Sequence, residues 1–281
     1  MVVWTQYGVR IADYFFDEEP GKERADLIRC HQRSSPLDGW DCTPFHTRLI
    51  DLRQSPDRIL TAMEPDSRRA VLRSEKKDSL TYCWPGGGDR SLLHEVFHLQ
   101  DQSAALKGQR KVNRGRLMAM WQAGSLDIAV MRDASGSPLV WRIYYRDSRR
   151  ARNLYNGSLH RALHDSAQRN LIGRAHRYLV WMDILRFQNA GLETYDFGGW
   201  YTGNNDVDKL KINLFKKEFG GVIEQRFNCV RGVTPRAKLI LALLALRDRW
   251  SLKRRPNPGM IGAGAGEAPK GKFTSREVTL S

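Results

Sequence analysis

The sequence has no C-x-x-C pair, and its four cysteines, Cys30, Cys42, Cys83 and Cys229, are widely spaced with no Cys/His knuckle among them. Neither a disulfide framework nor a structural zinc site is indicated, and reduced, mostly buried thiols are the expectation. Long apolar runs are missing too: no stretch reaches the ~18 apolar residues that a membrane-spanning helix needs. The first residues, MVVWTQYGVRIADYFFDEE, lack the basic segment and following apolar segment of a secretory signal. The protein is therefore expected to be soluble and cytoplasmic. No internal repeat is evident, and acidic residues are few, with 31 Asp and Glu against 46 Lys and Arg.

What is present is a core-forming composition. Of 281 residues, 41% are hydrophobic and 10% aromatic, enough for one large or two small globular domains. The net charge is +15, but it is uneven: from Arg231 onward eleven Lys and Arg stand against three Asp and Glu, so +8 of it lies in the last 51 residues. The body is only moderately basic. Phosphates of a cofactor, a nucleotide-linked substrate, tRNA or an acidic membrane surface all fit such a balance, as does a merely solvated surface.

Periodicity gives an alternation of elements. A short strand over 47–52 leads into a helix opened by Ser55 and Pro56, and a second helix over 66–77 crowds Arg68, Arg69, Arg73 and Lys76 together. A strand near 80–84 stops at Pro85 and three glycines, and helical spacing follows over 91–106 and 114–122. The period then changes. Residues 126–132, 139–146 and 152–158 are short β-rich segments, 170–189 is a long amphipathic helix, and 193–197 is a buried strand. A helix over 206–219 and a strand over 222–230 complete an α/β (α+β) arrangement, a mixed and mostly antiparallel sheet flanked by helices.

Two motifs carry a resemblance. The stretch Y-D-F-G-G at 195–199, followed by F-K-K-E-F-G-G at 215–221, resembles the Fem family of peptidyltransferases, whose lobes have the GNAT-like acyltransferase fold. The 47–52 strand, the short helix and the Arg68, Arg69, Arg73, Lys76 cluster are similar to that family's opening. The resemblance spans about 47–230. It implies an acyl or aminoacyl transfer to an amine of a cell-envelope or polysaccharide precursor, with acyl-CoA, or alternatively aminoacyl-tRNA, as donor and no metal. Fem proteins have two complete lobes; this chain has room for a reduced N-terminal lobe over 1–112 and a catalytic lobe over 113–232.

Several residues become candidates. Asp196, at the end of a buried strand, is placed either as a general base for an attacking amine or as the holder of the nearby loop. Lys216 is a candidate to stabilise the developing oxyanion and Lys217 to bind an anionic acceptor, unless both are ordinary helix lysines. Tyr155 lies in the strand expected to splay and supply backbone amides. Asn170, Leu171, Ile172, Gly173, Arg174 and Ala175 follow the Q/R-x-x-G-x-G/A pattern, apart from its first position, that lays a cofactor pyrophosphate on helix-terminal amides; alternatively, the small residues serve close packing. Arg68, Arg69 and Arg73 are candidate phosphate or carboxylate clamps on what could equally be a solvated face. Gly198, Gly199 and Trp200 complete the expected substrate-binding set.

Another class is signalled by His94, Glu95 and His98, an H-E-x-x-H match to helical zinc sites of metallopeptidases. No suitable third ligand follows it in sequence; His160 and His164 lie in the β-to-helix connection. A non-catalytic GNAT-like binding module is the third reading. Beyond the lobes, 233–255 forms a basic apolar helix that either docks on the body or lies against an anionic membrane at its inner face, where lipid-linked or nucleotide-linked acceptors would be met. The Gly/Pro-rich stretch 256–281 is expected to be disordered.

Overall fold

The computed structural model describes residues 1–85, 89–159 and 165–253, with side chains through Arg247 in the last helix. In chain order the elements are β1 (Val2–Gln6), β2 (Val9–Phe15), β3 (Leu27–Arg33), β4 (Asp41–Asp51), α1 (Pro56–Thr61), α2 (Pro65–Lys77), β5 (Thr81–Cys83), α3 (Arg90–Leu106) and α4 (Arg114–Gln122). There follow β6 (Leu126–Arg132), β7 (Pro138–Arg146), β8 (Arg150–Ser158), α5 (Ser166–Asn189), β9 (Thr194–Gly199), α6 (Val207–Lys217), β10 (Val222–Gly232) and α7 (Pro235–Lys253). The chain divides into two units, one formed by Pro44–Arg226 and the other by Met1–Thr43 with Phe227 onward. The expected disordered stretch 256–281, and His160 and His164, lie outside the described residues.

In the central unit the strand order is β4-β9-β8-β7-β6-β5. All pairs are antiparallel except β8 with β9. That parallel pair matches only Arg150–Arg152 with Thr194–Asp196. β8 also carries an irregularity, since Ile143 pairs with Tyr155 and Tyr144 with Asn153, leaving Leu154 as an extra residue. Helix α5 packs against α2, β6 and β7. Its Val180, Ile184 and Phe187 join Tyr144, Tyr195, Phe197 and Phe219 in one core, and Ile172, Ala175 and Leu179 join Ala129, Met131 and Val140 in another. Helix starts are where polar caps fall: Asp89 accepts from Ser91 and Leu92, Asp165 from Ala167 and Gln168, and Asp206 from Lys209. The Asp165 cap begins α5 four residues before the expected 170.

The other unit was not legible as strands. β1, β2 and β3 form a small sheet with β10 in the order β1-β2-β3-β10, and only β2 with β3 is parallel. Their interior is partly polar, which masks the apolar alternation: Asp13, fully buried, receives Arg29 through two bonds of 2.7 and 2.9 Å, and Trp4 at 2.9 Å, and lies 3.0 Å from His31. The expectation of four reduced thiols fails here as well. Cys42 and Cys229, 187 residues apart, form a disulfide, whereas Cys30 and Cys83 are free thiols. Sequence spacing cannot show that β4 and β10 are neighbours, and it is that adjacency which brings the two sulfurs together.

The mixed, mostly antiparallel sheet with flanking helices is thus the observed architecture of the α/β (α+β) class. The paired glycines at the end of the second motif have a backbone cause. Gly221 sits at φ +77°, and a Cβ there would lie 2.2 Å from the Leu49 carbonyl oxygen. Gly221→Ala is expected to destabilise the protein by at least ~1–3 kcal/mol from the left-handed backbone alone, measured as a lower denaturation midpoint; an unchanged midpoint would contradict this contact.

Candidate functional site

The parallel pairing of β8 and β9 ends at Arg152 and Asp196, and Asp196 fixes that point. Its carboxylate is wholly inaccessible. Oδ1 accepts from the Thr47 hydroxyl and from the Gly198 amide at 2.7 Å, and Oδ2 from Arg150 Nη2 at 2.6 Å. Burial alone would raise its pKa, but Arg150, Arg152, the Thr47 hydroxyl and the Gly198 amide together hold it below the ordinary aspartate value. Of the two roles open in the sequence, this bonding supports the holder: three strands, β4, β8 and β9, meet on one carboxylate.

Immediately beyond, the chain turns sharply. Gly198 has φ +72°, and a Cβ at that position would approach the Asn153 carbonyl oxygen to 2.8 Å. The bend leaves the Gly198 and Gly199 carbonyls for Lys216 on α6, whose Nζ donates to Gly198 at 3.3 Å and to Gly199. Lys216 is only 8% exposed. Burial is the largest influence on it and lowers its pKa; Arg142 and Arg152 act in the same direction, Asp196 opposes them, and the result is about 8. An ammonium has three N–H donors, so two on carbonyls leave one for an incoming oxygen. Lys217, one residue on, is exposed. The two lysines have separate fates because successive helical positions point about 100° apart.

Around this point the lining is aromatic and cationic, with its arginines largely buried. Arg48 lies 5.2 Å over Trp200 and donates to the carbonyls of Gly220, at 2.5 Å, and Gly221, while Arg152 lies 5.3 Å over Phe45. Gly199 is exposed, and Trp200 and Tyr155 are half-buried. Arg142, almost fully buried, approaches the Tyr195 hydroxyl at 3.4 Å. Tyr195 and Tyr144 are linked by their hydroxyls at 2.9 Å, and Tyr144 donates to Asp183 at 2.6 Å. Burial raises the Asp183 pKa against the pull of Arg186, Tyr144, Arg142 and Tyr82. The structure thus brings together Asp196, Lys216, Gly198, Gly199 and Trp200 and adds Thr47, Arg48, Arg142, Arg150 and Arg152, which sequence reasoning missed. Only Thr47 and Arg48 had a signal, since they open the 47–52 strand; arginines in a β-strand otherwise read as surface.

Other candidates fall elsewhere. Residues 170–175 lie inside α5, beyond its first turn, so their amides serve the helix rather than a phosphate. At the helix start, the amides of Ala167 and Gln168 already bind Asp165. Arg174 pairs with Asp78 at 2.7 and 2.9 Å, and a Cβ on Gly173 would meet Arg177 Nη1 at an ordinary contact distance of 3.8 Å, so no close packing requires this glycine. A pyrophosphate therefore does not fit the 170–175 backbone. Arg69 pairs with Asp66, Arg73 lies 3.9 Å from Asp78, and Arg68 reaches the Thr61 carbonyl. Arg69 and Arg73 line a surface depression of about 620 Å³ on α2 with Asp66 and Lys77. On α3, His94 and His98 are exposed while Glu95 is bound by Arg132, so the glutamate a zinc peptidase needs is engaged in an ion pair. No group of three or more metal-ligating side chains occurs among the described residues.

No protein-family model matches the chain, and no curated protein matches it in sequence. Solved structures do. FemX superposes with a TM-score of 0.58 at 14% identity, over 78% of this chain and 75% of its own. The C-terminal domain (DUF2156) of a putative lysylphosphatidylglycerol synthetase from Agrobacterium fabrum superposes with a TM-score of 0.52 at 16% identity, over 87% of this chain and 84% of its own. At these identities the likeness is one of fold: the chain shares the fold of FemX and of that synthetase domain, as its two Fem-like motifs lead one to expect.

The holder role of Asp196 is open to a direct check. Asp196→Ala would leave Arg150 buried without its carboxylate and is expected to cost about 3–5 kcal/mol in chemical denaturation. A variant that kept wild-type stability would contradict the holder role and return Asp196 to the role of base.

Proposed function

We propose that this protein transfers an acyl or aminoacyl group from a thioester or ester carrier to an amine, at the place where β8 and β9 part. The observation that carries this reading is Lys216, a buried ammonium anchored on two carbonyls with one donor left over, beside an exposed strand end. Attack of the amine on the donor carbonyl carbon moves the carbonyl electron pair onto oxygen, and the remaining Lys216 N–H stabilises that oxyanion. The amine proton is lost to solvent at the exposed Gly199 strand end, and the departing thiolate or alkoxide takes a proton from solvent as it leaves. Collapse of the intermediate re-forms the carbonyl and expels the carrier thiol or hydroxyl. Asp196, Arg150 and Thr47 act as positioning residues by keeping the Gly198 turn and its carbonyls in register with Lys216.

The donor in this reading is an acyl-CoA or an aminoacyl-tRNA, and the acceptor a lipid-linked or nucleotide-linked precursor of envelope or polysaccharide. The cations acting on Lys216, namely Arg142 and Arg152, favour an anionic group on the donor or the acceptor. Because residues 170–175 offer no free amides, any CoA phosphates would be held by other atoms.

Two outcomes follow. Lys216→Gln is expected to lower kcat/KM by roughly 10²–10³-fold, the usual loss for one oxyanion donor, with Lys216→Arg retaining more. The wild-type rate should also fall as pH rises through about 8, where Lys216 loses its proton. Stability moves oppositely. With a folded pKa below the unfolded one, the unfolded chain binds the extra proton between about 8 and 10.5, so Lys216 makes stability rise across that window, and Lys216→Gln should remove this rise. Calorimetry and transfer assays with acyl-CoA and with aminoacyl-tRNA decide the donor; binding of neither would defeat the proposal.

A further inference from the structure

The final helix is held at its first turn and presents an exposed face between residues 238 and 247. Arg236 donates to the Tyr7 carbonyl at 2.9 Å and to that of Gly8 at 3.4 Å, and Ala237 is buried. Beyond this first turn, Leu239, Leu243 and Leu246 are 62%, 56% and 51% exposed. Their i, i+4, i+7 spacing puts them on one stripe of the helix. Tyr7, at the turn between β1 and β2, is also exposed. Between that turn and α7 runs a groove of about 360 Å³ whose walls are apolar, from Val9, Ile240, Leu243 and Leu244, with Arg236 and Arg247 beside them. From Pro235 to Arg247 the helix has three basic residues, Arg236, Lys238 and Arg247, and no acidic one, and the sequence continues with Arg249, Lys253, Arg254 and Arg255 against Asp248 alone.

We infer that α7 and the β1–β2 turn form a peripheral docking surface for an anionic phospholipid bilayer. A leucine stripe on a 19-residue helix, flanked by cations, is suited to lie in the plane of an interface, its apolar face among the acyl chains and its cations at the phosphates. Charge complementarity selects this occupant over a second copy of the chain, whose α7 would bring the same positive charges face to face. No helix among the described residues is long and apolar enough to cross a membrane, so the contact is one of lying on rather than spanning. This inference stands on α7 and the β1–β2 turn and does not depend on the chemistry at Lys216.

The experiment is co-sedimentation of the full chain with vesicles of phosphatidylglycerol and phosphatidylcholine, or of phosphatidylcholine alone, in low and high salt. Wild type is expected to bind the phosphatidylglycerol vesicles and to be weakened by salt. Leu239→Ser, Leu243→Ser and Leu246→Ser together are expected to lower partitioning by about tenfold or more, with an unchanged melting temperature because the three side chains are exposed. Equal binding by the triple variant would overturn the inference. So would binding that ignores lipid charge, or a wild-type dimer by ultracentrifugation that the triple variant converts to monomer. Binding that appears only after residues 254–281 are removed would show instead that the tail covers the stripe, and would equally overturn it.

Discussion

A single buried carboxylate organises the central unit. Asp196 gathers a hydroxyl from β4, a guanidinium from β8 and an amide from its own strand end, and it does so where no water can substitute. Placing an isolated carboxylate in such an environment would be very unfavourable; with Arg150 bonded and Arg152 close by it remains ionised. The parallel pairing of β8 and β9 stops at this residue, the Gly198 bend follows, and the carbonyls exposed by the bend set where Lys216 can rest. The end of the β8–β9 pairing therefore coincides with the point where this buried charge is satisfied.

The same electrostatics separates one lysine from its neighbour. Lys216 and Lys217 are adjacent and chemically identical, yet one faces cations and little solvent while the other stands in water. A buried ammonium beside Arg142 and Arg152 gives up its proton more readily than a solvated one.

How much of this was legible depends on what each residue answers to. Helices with polar caps and 3.6-residue spacing, such as α1 and α3, were visible because their causes are local. The Y-D-F-G-G and F-K-K-E-F-G-G stretches meet in the fold, since Asp196, Gly198, Gly199 and Lys216, which lie together, all come from them. Residues 170–175 misled because a small-residue pattern says nothing of where a helix starts; Asp165, five residues before the expected boundary, decided that. Arg150 and Arg152 were invisible, as a buried arginine in a strand is explained only by a partner far away in sequence. The strands around Asp13 were hidden for the same reason, and the Cys42–Cys229 pairing depends on which strands become neighbours.

The discontinuous unit has a consequence for synthesis. Residues 1–43 supply β1, β2 and β3, but the antiparallel partner of β3 is β10, almost two hundred residues later. On a ribosome the early strands emerge with an unpaired edge and wait while the whole central unit is made. Closing so long a loop is slow compared with local folding, and an open strand edge is a template for wrong pairing. The order of events in the cell is thus inverted relative to the order of the chain: what is made first is completed last.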